Sequence, residues 1–213
     1  MAETVLFDYW RSSAAYRMRI ALHLAGIAYT SVPVDLSKGE HRTPDHVARN
    51  PQGLVPVLDI DGHRFTQSLA MLEYLDETRG LNLLPEDPVT RAHARALAYA
   101  IAVDLHPVCN LSVATQAREM AGGGQDKMEF WMQRFIRPGL VAFEGLLAGF
   151  TQAPYCCGDT PGLADICLMP QLYNATRWRV NTDDLPRLSG VAAACAAHPA
   201  FAAAHPDKWQ PAA

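Results

Sequence analysis

The pattern of this chain changes once, at Gly80, and that change constrains the fold more than any other feature. Before it, β-rich runs alternate with helical ones. Residues 4–9 read as a strand, residues 15–25 as a helix stopped by Gly26, and residues 28–34 as a strand whose proline marks a sheet edge. Residues 55–60 form another strand; the Asp61-Gly62 pair predicts a tight hairpin back through His63–Phe65, and residues 69–79 are helical. After Gly80 and a proline-containing connector, almost only helical periodicity remains. It covers residues 90–118 with a kink or break at Pro107, 126–149 with a bend at Pro138-Gly139, 163–179, and 187–197, ahead of a loop-like tail from Pro206. There are no internal repeats.

The order βαβ followed by ββα predicts a small mixed sheet with helices on its faces. The expected architecture is α/β plus all-α: a thioredoxin-like domain over residues 1–83 and a helical domain over 84–213. A chain of 213 residues, 49% hydrophobic and 19% charged, is long and apolar enough to bury such cores. A net charge of -4 without any basic block argues against nucleic acid as partner, and no run has the length of a membrane span. The opening residues lack a signal-peptide pattern, and the five cysteines fit neither a zinc site nor a CxxC pair. The expectation is therefore a cytoplasmic protein with reduced, buried thiols, no metal and no membrane association.

Several separated segments point one way. "NPQGLVPVLDIDG", a "QS" pair opening a helix, and the helical domain behind it resemble a cytosolic glutathione transferase. "RSSAAYRMRIAL" resembles the SSCxWRxRIAL signature of the zeta class, and "HPVCNLSV", "GDTPGLADICLMPQ" and "ATRWRV" resemble later zeta-class segments. The class signature has a cysteine and a tryptophan where this chain has Ala14 and Tyr16. A mechanism using an enzyme thiol is thereby disfavoured, and glutathione is left as the source of sulfur.

The resemblance implies glutathione as cofactor and assigns residues to it. Ser12, and after it Ser13, would donate to the thiolate, whose formation a helix N-terminus favours; a serine there is also an ordinary helix cap. Val55 and a cis Pro56 would pair with the cysteinyl part. Gln67 and Ser68 would hold the γ-glutamyl carboxylate at the start of a helix. Gln52, His41 and Asn110 are weaker choices, and His41 equally reads as a solvated loop histidine. A maleyl keto acid carries two carboxylates, for which Arg11 and Arg177 are the implied partners. His106 faces the same site in the resemblance or merely fills the kink at Pro107, whereas Arg17 and Arg19 read as structural. Asp165 looks like half of a capping box whose usual Ser or Thr is here Gly162. A serine at 162 is expected to stabilise by a few tenths of a kcal/mol.

The implied activity is glutathione-dependent cis–trans isomerisation of a maleyl keto acid by a homodimer. Leu111 and Ser112, where the maleylpyruvate type carries arginines, favour maleylacetoacetate and the degradation of aromatic amino acids. Maleylpyruvate isomerase is the near alternative. A transferase that conjugates or dehalogenates small electrophiles would use the same thiolate. A non-catalytic binding module on this scaffold is the alternative from another class.

Overall fold

Asp61 and Gly62 take positive φ values of 54° and 80°, the geometry that lets a two-residue hairpin follow the twist of its strands. The hairpin joins β3 (Val57–Ile60) to β4 (His63–Thr66), one edge of a four-stranded sheet in the computed structural model, which describes residues 3–211. β1 (Val5–Asp8) pairs in parallel with β2 (Thr30–Pro33) and antiparallel with β3, giving the order β2-β1-β3-β4. Pro33 sits on the edge strand, where its missing N–H interrupts no ladder. α1 (Ser13–Leu24) separates β1 from β2, and α2 (Pro44–Arg49) precedes β3. α3 (Ser68–Arg79) ends at Gly80, whose φ of 62° suits the left-handed helix stop. The core of this unit joins Leu6, Leu58 and Ile60 of the sheet to Met18, Ile20 and Leu22 of α1 and Met71, Leu72 and Leu75 of α3, all 2% exposed or less.

The chain divides into two compact units. The sheet unit holds residues up to Asn82 together with those from His198 onward, so the C-terminal segment clusters with the sheet rather than with the other helices. That segment contains α10 (Pro199–Ala204) and, within the tail expected as a loop from Pro206, a 3₁₀ turn at Pro206–Lys208.

The second unit, residues 83–197, is helical. Asp87 caps α4 (Pro88–Tyr99) by accepting from Thr90 N at 2.8 Å, with Pro88 in the first turn. Pro107 does not break the helix. A π-helical segment, Ala100–Leu105, widens the backbone ahead of it, and His106 N donates to Ile101 O, five residues back. The wider turn makes room for the ring, which would clash with the carbonyl four residues back. α5 (His106–Val108) follows, and the break falls at Cys109–Asn110, where Asn110 caps α6 (Leu111–Met120). The axis turns there by 41°. α7 (Gln125–Leu147) runs through Pro138-Gly139 as one helix. Gly139 serves close packing: a Cβ there would lie 2.8 Å from Leu105 Cδ2. α8 (Leu163–Arg177) and α9 (Pro186–Ala197) complete the unit. Among the described residues no single helix is long and apolar enough to cross a membrane, and no cluster of three or more metal-ligating side chains occurs.

Asp165, fully buried in α8, accepts from Gly162 N at 2.8 Å and Cys156 N at 2.9 Å, and the Cys195 thiol lies 3.8 Å from the same carboxylate. Gly162 itself answers to sterics. A Cβ on it would meet the Leu83 carbonyl oxygen at 2.9 Å, so the gain expected from a serine cap is opposed by the backbone shift any side chain here requires.

Candidate active site

The sheet register brings three chain segments to one end of the first unit. Val57 lies opposite Phe7 on one side and Thr66 on the other. The start of β3 therefore lies beside the ends of β1 and β4, so the chain leading to α1, the start of α3 and the Val55-Pro56 bond, which is cis as expected, lie at one end of the sheet.

Ser12 occupies the N-cap of α1. Its N–H donates to Tyr9 O at 2.8 Å, closing the turn out of β1, and its Oγ accepts from Ala15 N at 3.2 Å. Capping uses only an acceptor lone pair, so the hydroxyl proton remains to be given to an anion in front of the helix. The cap therefore leaves Ser12 able to donate. Ser13 is the first helical residue. Arg11 turns back over the turn: its Nη2 donates to the Tyr9 hydroxyl at 2.8 Å, and its guanidinium carbon lies 4.8 Å from the centre of the Trp10 ring.

Gln67 adopts φ 68° and ψ 106°, a strained region for a residue with a side chain, directly before α3. Its Nε2 donates to Gln52 Oε1 at 2.7 Å, which ties the start of α3 to the loop before Val55. Ser68 is buried, and its Oγ accepts from Arg17 Nη1 at 3.2 Å. A guanidinium, a hydroxyl and the first amides of α3 thus converge, the donor set a carboxylate requires. Two arginines inside an otherwise buried apolar helix must meet polar partners, and Ser68 is one for Arg17, whose expected structural role this bond fits.

The loop into Val55 is held by two side chains that no local sequence pattern marks. Asn50 Nδ2 donates to Leu54 O at 2.9 Å, and His46 Nε2 lies 3.0 Å from that oxygen, which fixes the imidazole proton on Nε2. His41 is half-buried in a 3₁₀ turn. Burial, with Arg42 and His46 nearby, holds its imidazole below the ordinary value, so it is neutral at pH 7.

In the helical unit, Asn110 spends its side-chain oxygen on Ser112, accepting from N and Oγ at 3.2 Å each, so any ligand contact falls to its amide nitrogen. His106 follows the π-helical segment and is half-buried. Arg177 is the last residue of α8, exposed, with its guanidinium carbon 4.9 Å from the Trp178 ring centre. The end of α8 is anchored by Gln133 Nε2, which donates to Trp178 O at 3.0 Å. Four cysteines are buried and Cys157 is partly so; burial pushes the Cys109 and Cys157 thiols up to about 12. These thiols are inert at neutral pH.

Residues 2–77 match the glutathione S-transferase N-terminal domain. Over 210 residues, 98% of this chain and 99% of the relative, the sequence is 57% identical to the maleylacetoacetate isomerase of Rhizobium meliloti (strain 1021). The fold superposes on a holo structure of maleyl pyruvate isomerase, described as a bacterial glutathione S-transferase in the zeta class. That likeness has a TM-score of 0.93 and 38% identity over 97% of this chain and 98% of the other. The chain belongs to the zeta class of glutathione transferases. A second likeness is the maleylacetoacetate isomerase of Methylobacterium extorquens AM1 with bound malonate and GSH, at TM-score 0.91 and 40% identity over 97% of this chain and 98% of the other. Within the class, this chain departs at Ala14 and Tyr16, and Tyr16 is 2% exposed, a core residue of α1.

Proposed function

We propose that this zeta-class chain is a glutathione-dependent isomerase that converts maleylacetoacetate to fumarylacetoacetate, as a cytoplasmic homodimer in aromatic amino acid degradation. The observation that carries the reading is Ser12. It caps α1 through its oxygen and keeps its O–H, at the end of the sheet that also holds cis Val55-Pro56 and the Arg17–Ser68 pair. Those three features match the thiol, the backbone and the γ-glutamyl carboxylate of glutathione. When bound, glutathione supplies a thiolate that adds reversibly to the cis double bond, so that the carbon chain rotates about what has become a single bond. The protein's part is electrostatic. Ser12 donates to the thiolate, with Ser13 as the second choice, and the start of α1 adds its positive dipole end. Ser68, Gln67 and Arg17 hold the γ-glutamyl carboxylate, and Val55 presents main-chain groups to the cysteinyl part. Gln52, His41 and Asn110 complete the cofactor contacts. Arg11 and Arg177 are the assigned partners of the two substrate carboxylates, with His106 in a supporting role.

Maleylpyruvate is the second reading, favoured by the 0.93 TM-score to a maleyl pyruvate isomerase. The 57% identity over nearly the whole chain favours maleylacetoacetate. Initial rates on the two substrates, with and without glutathione, decide between them. Catalysis without net glutathione consumption is expected, with higher kcat/KM on maleylacetoacetate. Stoichiometric consumption of glutathione would instead identify a conjugating transferase.

A further inference from the structure

One arginine ties the C-terminal segment to the turn that carries Ser12. Arg19 is fully buried on α1, and its three guanidinium nitrogens reach three different segments. Nη1 donates to Asp8 Oδ2 at 2.6 Å, at the end of β1. Nη2 donates to the Trp10 carbonyl at 2.8 Å, inside the Tyr9–Ser12 turn. Nε donates to the Ala204 carbonyl at 3.2 Å, the last residue of α10. A carbonyl at a helix C-terminus has no partner within the helix and sits at the negative end of the dipole, so it is suited to a buried cation. Trp209 closes the arrangement. Its ring centre lies 5.6 Å from the Arg19 guanidinium carbon, it stacks on Tyr29 at 5.6 Å and 12°, and its Nε1 donates to Ala203 O at 3.1 Å.

We propose that the C-terminal segment, through Trp209 and α10, is a positioning element for the thiolate-binding turn, acting by way of Arg19. The planar fork holds its N–H groups in fixed relation, so the acceptor on Nε helps set the direction of Nη2. Asp8 neutralises the buried charge but fixes only one side of the fork. With α10 loosened, the fork turns about the Asp8 contact and the Trp10 peptide loses its anchor. The Ser12 hydroxyl then moves with the turn. Misplacement of a catalytic group by an ångström costs up to about a hundredfold in rate. The inference rests on Ser12 being the thiolate donor.

The test uses the full-length protein with glutathione bound. Thiolate absorbance is followed against pH, and kcat and KM are measured with the keto-acid substrate. Trp209→Leu keeps apolar bulk but removes the ring face and Nε1. It is expected to raise the bound thiol pKa toward the free value of about 8.5 and to lower kcat about tenfold. Trp209→Phe retains an aromatic face and is expected to restore most of both. Tyr29→Leu, which removes the stacking partner, should act like Trp209→Leu and serves if the latter does not fold. Phe143→Leu, in the core of the helical unit, is the stability control: it should lower the melting midpoint without moving the thiol titration. In a Ser12→Ala background the Trp209→Leu effect should largely vanish, because the two act through one group. The proposal is overturned if Trp209→Leu and Tyr29→Leu leave titration and kcat unchanged. It is equally overturned if Phe143→Leu reproduces their shift, or if the Trp209→Leu effect persists in full without the Ser12 hydroxyl. A Ser12→Ala protein with an unchanged titration refutes the thiolate-donor reading itself, and this inference with it. A shifted Ser12→Ala beside an unshifted Trp209→Leu refutes the inference alone.

Discussion

Ser12 is the N-cap of α1 and, in the proposed function, the donor to the thiolate, and two substitutions separate these roles. As a cap, its Oγ accepts from Ala15 N at 3.2 Å, a long bond in a half-buried position. Ser12→Ala should therefore cost about 1 kcal/mol of stability, within the range for lost caps. For a chain of this size that lowers the melting midpoint by roughly 2–4 °C. As a donor, the same hydroxyl stabilises charge on sulfur, and its loss should lower kcat/KM by about tenfold or more, in line with removal of one oxyanion-type donor. The bound thiol should then titrate at higher pH. Ser12→Asp splits the effects. Aspartate caps as well as serine, so the melting midpoint should return to that of the native protein. It has no proton to give at neutral pH and adds a negative charge beside the sulfur, so activity should fall below that of Ser12→Ala. The assays are thermal melting, thiolate absorbance against pH, and initial rates. If Ser12→Ala melts lower while its titration and rates are unchanged, Ser12 is a cap only and the donor role passes to Ser13. If Ser12→Asp keeps full activity, no hydroxyl donor is involved at this position.

Four other outcomes are expected. Gly162→Ala should lower the melting midpoint, because its Cβ would press on the Leu83 carbonyl at 2.9 Å without adding a capping group; an unchanged or raised midpoint would show that the backbone yields freely. Arg17→Met should weaken glutathione binding by roughly ten- to a hundredfold, the range for a charge-assisted contact, while a γ-glutamyl analogue lacking the α-carboxylate should bind both proteins alike in calorimetry. Arg177→Ala should cut kcat/KM by about ten- to a hundredfold with little change in glutathione affinity, and Arg177→Lys should recover only part because an ammonium lacks the bidentate fork; equal loss on a substrate without the distal carboxylate would make Arg177 structural. Cys109 and Cys157, with thiols pushed up to about 12, should resist iodoacetamide at pH 8, where only about one thiol in ten thousand is ionised. Their alkylation should rise only as pH approaches 12, whereas all five cysteines should react near pH 8.5 once the chain is denatured; rapid alkylation of the native protein would contradict the burial.

Much of this protein is written in local sequence. The period change at Gly80, the Asp61-Gly62 hairpin and the helix expected from residue 90 depend on neighbouring residues alone, and those elements start within a few residues of their expected bounds. The residue types at the proposed glutathione site were legible as well, because a serine before a helix announces itself through cap chemistry. What local sequence could not decide is whatever depends on distant backbone. Gly162 reads as a deficient cap until the Leu83 carbonyl is seen 2.9 Å from its missing Cβ. Pro107 reads as a helix break, yet the helix absorbs it in a π-helical segment, and the chain breaks instead at Asn110, whose side chain can cap a new start. Arg17 and Arg19 share one buried helix and look alike in sequence. Their partners, Ser68 for one and Asp8, Trp10 and Ala204 for the other, lie up to 185 residues away along the chain. A buried cation demands an acceptor whatever the fold, so the sequence required that partners exist; only the tertiary structure chose which.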